Sequence, residues 1–225
     1  MGYLLVLTSD FPSTPSPEIV QLIRSRSPEP SIAWVPPQTS SGREHLQQAK
    51  IDFAALGLGG LHYCDIDKEP NERQLASLSD YDVIYLSGGD PLAFCRSAAQ
   101  VQLPRRLNAY LEEGGFVLAA SGGAMFLTSD VSVFRLQTED VSSVLNRQGR
   151  AQAAGIVPYE FLPHLNRLSS AFLEKVRTYS RGTSCEVIAV NDGGALIHTS
   201  AQESRIIGNG RKFVKGGAFP IGPAA

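Results

Sequence analysis

A serine followed by two glycines stands at the end of an apolar run. Residues 116–125 read Phe-Val-Leu-Ala-Ala-Ser-Gly-Gly-Ala-Met, so Ser121 follows a predicted strand and precedes a run that can begin a helix. A nucleophile elbow needs small neighbours, because the chain turns sharply there and the substrate comes close. The dipole and free N–H groups of the following helix favour a developing oxyanion. The segment therefore predicts a nucleophilic serine, with a glycine-rich turn that only holds an anion as the alternative.

A second glycine-rich segment also closes a predicted strand. Residues 85–91 read Tyr-Leu-Ser-Gly-Gly-Asp-Pro. In a parallel sheet, ligands gather at the carboxyl ends of the strands. The N–H of Gly89 would form one half of an oxyanion hole, and the N–H of Gly122 the other half. Asp90 before Pro91 is equally typical of a plain helix start with an aspartate N-cap, and both interpretations can hold together.

An activated serine requires a base, and His164 is the candidate among four histidines. It follows an apolar stretch and Pro163, which restricts the chain. His45 falls on a predicted polar helix face, His62 at the edge of a predicted strand, and His198 in a late strand. A lone histidine in such a place is also typical of a structural role.

Asp192 is the first candidate for a carboxylate that orients the base. It lies in Asn-Asp-Gly-Gly between two apolar runs, where it could stabilise a charged imidazole. The same four residues are strong hairpin-turn chemistry for purely geometric reasons. The competing carboxylates are Asp130, Glu139 and Asp140.

Regular elements must bring these side chains together, and the first half of the chain alternates apolar runs with amphipathic stretches. The predicted strands are Tyr3–Thr8, Ser31–Val35, Leu61–Ile66, Val83–Leu86 and Phe116–Ala120. The predicted helices are Ser16–Arg26, Arg43–Leu56, Glu72–Leu78 and Leu92–Glu113, with a kink or break at Pro104. Strict alternation of strand and helix predicts βαβ units and a mostly parallel sheet covered on both faces.

The second half shows a different pattern. Val131–Leu136 and Ala154–Leu162 are expected to be short strands or irregular connections, and Leu168–Tyr179 an amphipathic helix. Strand-like runs follow at Glu186–Val190, Ala195–Thr199, Arg205–Ile207 and Arg211–Val214. We expect antiparallel strands at the edge of the same sheet. The predicted fold is thus an α/β three-layer sandwich, a single domain over residues 1–225.

Composition narrows the class of partner. The chain has 225 residues and a formal net charge of −2, with no stretch that concentrates Lys and Arg, which argues against nucleic-acid or membrane partners. The three cysteines are scattered without a CxxC spacing, so neither a zinc site nor a disulfide framework is expected. We expect no cofactor and no metal. The apolar start lacks a basic region, and no run approaches about 20 apolar residues, which predicts a cytoplasmic protein.

Taken in order, these segments resemble the peptidase E and cyanophycinase family of serine peptidases, whose fold is similar to the class I glutamine amidotransferase domain. The resemblance spans Tyr3 to about Phe213. The family's Gly-Gly-Asn corresponds to residues 88–90, and its Gly-x-Ser-Ala-Gly elbow corresponds to residues 119–123. Its Pro-His motif corresponds to residues 163–164, and its late acid before an Ala-Leu strand corresponds to residue 192. The departures are Ala119 for the first elbow glycine, Gly122 for alanine, and Asp90 for asparagine.

The resemblance implies a serine peptidase in which Ser121 attacks an amide carbonyl, His164 is the base and Asp192 its acid, with Asp130 as the second choice. Gly89 and Gly122 would supply the oxyanion hole. Serine at the elbow argues against glutamine amidotransfer, for which the similar fold uses cysteine.

The implied substrates are small peptides that contain aspartate. Arg167 would clamp an acidic residue, and a helix-surface role is its alternative; Asp90 is the other predicted substrate-binding residue. The alternatives in function are hydrolysis of the aspartyl-arginine polymer cyanophycin and a non-catalytic binding or regulatory relative. A flavodoxin-like phosphate binder is a weaker hypothesis, because no P-loop or GxGxxG is present. A homodimer is possible.

Overall fold

Two β-sheets and flanking helices make up the structure, a computed structural model that describes residues 2–149, 153–201 and 204–223. The strands are β1 (Leu4–Thr8), β2 (Ile32–Val35), β3 (Leu61–Tyr63), β4 (Val83–Leu86), β5 (Phe116–Ala120), β6 (Glu160–Leu162), β7 (Val187–Val190), β8 (Ala195–Thr199), β9 (Ser204–Ile207), β10 (Gly210–Val214) and β11 (Gly217–Ile221). The helices are α1 (Pro17–Arg24), α2 (Thr39–Ala55), α3 (Glu72–Ala76), α4 (Pro91–Gln100), α5 (Leu103–Glu112), α6 (Gly122–Phe126), α7 (Ser132–Arg135), α8 (Val141–Leu145) and α9 (Ser170–Tyr179). Short 3₁₀ turns occupy Ser77–Asp80 and Leu165–Arg167.

The larger sheet has the strand order β3-β2-β4-β5-β1-β8-β9. Its first five strands are parallel, and β8 and β9 are antiparallel additions beside β1. Apolar side chains of β1 and β5 alternate between two buried clusters, one on each face of the sheet. This confirms the predicted α/β class, because strands buried on both faces read as continuous apolar runs.

The prediction that all late strands join the edge of this sheet is wrong. Only β8 and β9 do so, whereas β7 and β10 form a second sheet of order β11-β10-β7-β6. The run Gly217–Ile221 was not predicted as a strand; it contains Pro220, which an edge strand such as β11 tolerates because one side of it needs no ladder bond.

Two connections also differ from expectation. Val131–Leu136 was expected to be a short strand or an irregular connection, but Ser132–Arg135 is a helix, and Asp130 accepts its first N–H, that of Ser132. Of the expected stretch over residues 154–162, only Glu160–Leu162 is a strand. The break near Pro104 is confirmed, since α4 and α5 are separated at Gln102, which adopts a left-handed conformation with φ 51°. Among the described residues, no helix is both long and apolar enough to cross a bilayer.

Candidate active site

The carboxyl ends of β1, β4 and β5 meet at one edge of the larger sheet. Thr8 pairs with Ala120, and Leu86 pairs with Ala119, so these three strands end at nearly the same level. The residues that follow them, Ser9 and Ser121 among them, therefore project from the same edge. This is the edge at which ligands bind in open parallel sheets.

Ser121 occupies a sharp turn between β5 and α6. Its backbone has φ 48° and ψ −115°, an unfavourable region for a residue with a side chain. Hydrogen bonds hold it there: its N–H donates to the Thr8 carbonyl at 3.0 Å, and its own carbonyl accepts from the Met125 N–H at 2.9 Å. A Cβ on Gly122 would lie 1.9 Å from the Gly89 carbonyl oxygen, so only glycine fits after the serine. The local geometry is that of a nucleophile elbow.

The His164 ring faces this serine across the strand ends. Its Nε2 lies 3.2 Å from the Ser121 hydroxyl, within the distance for proton transfer to a general base. His164 follows β6 and starts the 3₁₀ turn, with a left-handed backbone of φ 60° and ψ 33°. The two residues are 43 positions apart in sequence, and the fold brings them into contact.

Asp192 lies behind the ring, in the turn between β7 and β8. Its Oδ1 is 2.7 Å from His164 Nδ1. The carboxylate also accepts from the Ser9 hydroxyl at 2.9 Å, the Asn166 amide at 3.2 Å and the Arg167 guanidinium. Burial acts to raise the pKa of Asp192, but the hydrogen bonds from His164, Ser9 and Asn166 outweigh it and hold the pKa below its usual value. An ionised Asp192 favours the tautomer with the proton on Nδ1, which leaves Nε2 free to accept the serine proton.

The competing carboxylates are engaged elsewhere. Asp130, the second choice from sequence, accepts the N–H groups of Ser132 at 2.7 Å and Gly149 at 2.8 Å. Glu139 pairs with two arginines, and Asp140 caps α8. The geometry therefore favours Asp192 over all three.

The two candidate oxyanion donors lie side by side. Gly89, with φ 137°, carries the carbonyl that approaches Gly122, and it lines the same cleft as Ser121. Neither the Gly89 N–H nor the Gly122 N–H has a hydrogen-bond acceptor among the described residues. Both groups are therefore available to a ligand, as an oxyanion hole requires.

The cleft in front of Ser121 has a volume of about 430 Å³, within the range for small-ligand sites. The residues that line it include the aromatic residues Phe11, Trp34 and Tyr85. One face of α2 also lines the cleft, with His45, Gln48, Ala49 and Asp52. A cleft of this size suits a substrate of a few residues.

The two predicted substrate-binding residues differ in position. Arg167 lines the cleft, and its side chain is 60% exposed while it pairs with Asp192 and lies 3.6 Å from Asp10. Asp90 does not line the cleft; its carboxylate accepts the Leu92 N–H at 2.8 Å as the N-cap of α4. The structure thus favours the helix-cap interpretation of Asp90 and gives no support for a substrate contact.

Sequence reasoning missed Ser9 and Asp10, which directly follow β1. Ser9 contacts both His164 and Asp192, while Asp10 accepts the Gly193 N–H at 2.9 Å and the Thr14 hydroxyl at 2.7 Å. The only available signal was their place at the carboxyl end of a buried strand. Across the described part of the chain, no cluster of three His, Cys, Asp or Glu residues is arranged to hold a metal ion.

Comparison with known proteins gives two kinds of similarity. The family model described as Peptidase family S51 matches residues 4–207. A candidate peptidase E from Listeria monocytogenes EGD-e has a similar structure, with a TM-score of 0.69 and 17% identity over 92% of this chain and 98% of that one. A peptidase from an acI-B1 Actinobacterium has a TM-score of 0.73 and 17% identity, covering 98% of this chain and 94% of that one. No curated protein matches the sequence.

Proposed function

We propose that this chain cleaves amide bonds with Ser121, His164 and Asp192 as its catalytic triad. The chain belongs to peptidase family S51 and is a serine-type peptidase. One observation carries the proposal. The Ser121 hydroxyl, both ring nitrogens of His164 and the Asp192 carboxylate form a continuous chain with steps of 3.2 and 2.7 Å. This is the order of nucleophile, base and orienting acid that serine peptidases require.

The first half of the reaction forms an acyl-enzyme. The Ser121 oxygen attacks the substrate carbonyl carbon while His164 Nε2 takes the hydroxyl proton. The carbonyl oxygen becomes an oxyanion and accepts hydrogen bonds from the N–H groups of Gly89 and Gly122. The C–N bond then breaks, and the imidazolium gives its proton to the leaving amine.

The second half releases the acid. A water molecule gives a proton to His164 Nε2 and attacks the ester carbonyl, and the same oxyanion donors stabilise the new tetrahedral intermediate. Its collapse returns the proton to the Ser121 oxygen. Because the Asp192 pKa lies below its usual range, its carboxylate stays ionised at neutral pH and stabilises the imidazolium in both halves.

Small peptides that contain aspartate are the proposed substrates. Arg167 is the cation of the cleft that can hold a substrate carboxylate, because its exposed guanidinium still offers N–H groups beyond the one donated to Asp192. The cleft volume of about 430 Å³ fits a short peptide. The aspartyl-arginine polymer cyanophycin is a further candidate substrate with the same carboxylate chemistry.

Labelling with a serine-reactive aryl phosphonate tests the triad. Wild-type protein should be labelled at Ser121, and Ser121→Ala should not be labelled. His164→Ala should react at least about 10³-fold more slowly than wild type, because its serine lacks a base. Ser97→Ala is the matched control, since Ser97 is a buried serine of α4 whose hydroxyl lies 3.5 Å from Asp67.

Each arm of this experiment has a contrary outcome. Full labelling of His164→Ala would remove His164 as the base, and undiminished labelling of Ser121→Ala would remove Ser121 as the nucleophile. A wild-type protein that neither reacts with the phosphonate nor cleaves any of a panel of short peptides would point to a binding relative on the same fold.

A further inference from the structure

We propose that Ser9 is a positioning residue of the active site, which ties the backbone of His164 to the carboxylate of Asp192. The inference rests on the proposed function, because it assigns the two partners of Ser9 their roles. Ser9 does not line the cleft and is fully buried, so it acts through these partners and not on the substrate.

The Ser9 hydroxyl makes one hydrogen bond to each partner. It accepts the His164 backbone N–H at 2.7 Å and donates to Asp192 Oδ1 at 2.9 Å. The same oxygen lies 3.4 Å from His164 Nδ1. A hydroxyl has one proton and two acceptor sites, so both bonds can form at once. Ser9 thus contacts the base and its acid together.

Other donors to Asp192 do not duplicate this arrangement. Asn166 and Arg167 bind Oδ2, whereas Ser9 binds Oδ1, the oxygen that accepts from the His164 ring. Among the residues that the structure describes, only Ser9 has a side chain that bonds to both His164 and Asp192. Loss of its hydroxyl would leave Oδ1 with the imidazole alone.

The backbone of His164 needs such a restraint. A residue with a side chain is rarely stable at φ 60° and ψ 33°, and it stays there when its surroundings hold it. Ser9 is itself fixed at the end of β1, where its N–H donates to the Gly194 carbonyl at 3.1 Å. The strand end is thereby connected to the turn that carries Asp192 and to the start of the turn that carries His164.

Ser9→Ala tests this role, and Ser180→Ala is its matched control. Ser180 is also a fully buried serine whose hydroxyl accepts a backbone N–H, from Gly216 at 3.1 Å, and donates to the Arg177 carbonyl at 2.8 Å. It lies at the end of α9, away from the cleft. Both variants lose an equivalent pair of hydrogen bonds, but only one of them touches the triad.

Turnover and its pH profile are the first readouts. We expect Ser9→Ala to lower kcat by about 10- to 100-fold with little change in KM, the loss expected for one charge-assisted hydrogen bond. Without the Ser9 donor the Asp192 carboxylate becomes more basic and stabilises the imidazolium more strongly. The acidic limb of the kcat–pH profile should therefore move to higher pH. Ser180→Ala should keep the wild-type kcat and an unshifted limb.

A spectroscopic readout keeps the test independent of folding yield. The proton between His164 Nδ1 and Asp192 should give a downfield ¹H NMR resonance in wild-type protein, which shifts or broadens in Ser9→Ala and is unchanged in Ser180→Ala. The role of Ser9 would be overturned if Ser9→Ala kept the wild-type kcat, the wild-type acidic limb of the pH profile and the wild-type NMR resonance. If Ser121→Ala kept wild-type turnover, the triad itself would fail, and the inference with it.

Discussion

Two carboxylates whose side chains have little contact with solvent, Asp192 and Glu160, lie in different regions of the molecule and have opposite environments. Asp192 stands at the edge of the larger sheet. Its carboxylate accepts hydrogen bonds from the His164 ring, the Arg167 guanidinium, the Ser9 hydroxyl and the Asn166 amide. Glu160 starts β6 in the smaller sheet and is fully buried. It accepts the Val133 N–H at 2.7 Å and the Tyr179 hydroxyl at 2.6 Å.

The pKa values of the two groups move in opposite directions. Burial raises the pKa of Glu160 to about 8, and its two neutral donors are too few to reverse this. Burial also acts to raise the pKa of Asp192, but there the hydrogen bonds win and the pKa falls. The pKa falls where hydrogen-bond donors outweigh burial, as at the less deeply buried Asp192, and it rises where burial outweighs the donors, as at Glu160. An ionised carboxylate is what the proposed orienting role of Asp192 requires.

Of the substitutions that distinguish the two regions, Asp192→Asn should lower kcat the most. We expect kcat to fall about 10⁴-fold, because an amide can donate to Nδ1 and favour the wrong imidazole tautomer. The melting temperature should fall only modestly, since the amide keeps the shape of the carboxylate but loses its ion pair with Arg167. Steady-state kinetics on a short peptide measures the first quantity and thermal unfolding the second.

Glu160→Gln is the counterpart of this variant in the other region. It should leave kcat within a few-fold of wild type, because Glu160 bonds to Val133 and Tyr179 and not to the proposed triad. A loss in Glu160→Gln as large as in Asp192→Asn would mean that the two regions are not functionally separate. A kcat within tenfold of wild type in Asp192→Asn would remove the orienting role of that carboxylate.

The second expected effect concerns stability and pH. The pKa of Glu160 rises from 4.5 to about 8 on folding, so the folded state holds a proton that the unfolded state releases over this interval. Its stabilising contribution is complete below pH 4.5 and is lost as the pH rises through about 8, at roughly 1.4 kcal/mol per pH unit. Relative to Glu160→Gln, wild-type protein should therefore become less stable from pH 5 to pH 8.

Denaturant unfolding at several pH values measures this difference. The glutamine side chain imitates a protonated Glu160, since it can accept from Val133 and donate to Tyr179, so the variant should match wild type in acid and exceed it above pH 8. Glu174→Gln, on the exposed face of α9, is the control and should run parallel to wild type. Parallel curves for Glu160→Gln as well would show that Glu160 is ionised in the folded protein.

Part of this architecture could be predicted from local patterns. The apolar runs gave the five parallel strands, and the small residues around Ser121 indicated the elbow, because both features depend on neighbours in sequence. His164 and Asp192 could be named as candidates only because a nucleophile needs them. Ser9 could not, since its contacts cross 155 and 183 residues and depend on the register of β1 against other strands.

The smaller sheet escaped prediction for a similar physical reason. The runs that form β7 and β10 have the composition of any edge strand, and nothing local decides which partner they pair with. Glu160 was overlooked because one acid in an apolar stretch has no spacing signature. Its burial depends on Val133 and Tyr179, which approach only in the folded chain.

Arg167→Ala should have the smallest effect on activity. It tests whether the guanidinium beside Asp192 also binds the carboxylate of the substrate. Two losses are expected: a weaker hold on Asp192, which lowers kcat for every peptide, and a lost carboxylate clamp, which lowers kcat/KM for Asp-X peptides alone. The ratio of kcat/KM for Asp-X over Asn-X peptides isolates the second loss, and we expect it to fall about tenfold or more.

Asn166→Ala is the matched control for Arg167→Ala. Asn166 also donates to Asp192 Oδ2 but carries no charge, so its removal should lower both rates equally and leave the Asp-X to Asn-X ratio unchanged. Arg167→Lys should retain part of the preference, because it keeps the charge without the paired N–H groups. If Arg167→Ala loses activity equally on both peptides, Arg167 belongs with Ser9 and Asn166 as a group that holds Asp192. Selection of the acidic residue must then come from another part of the cleft.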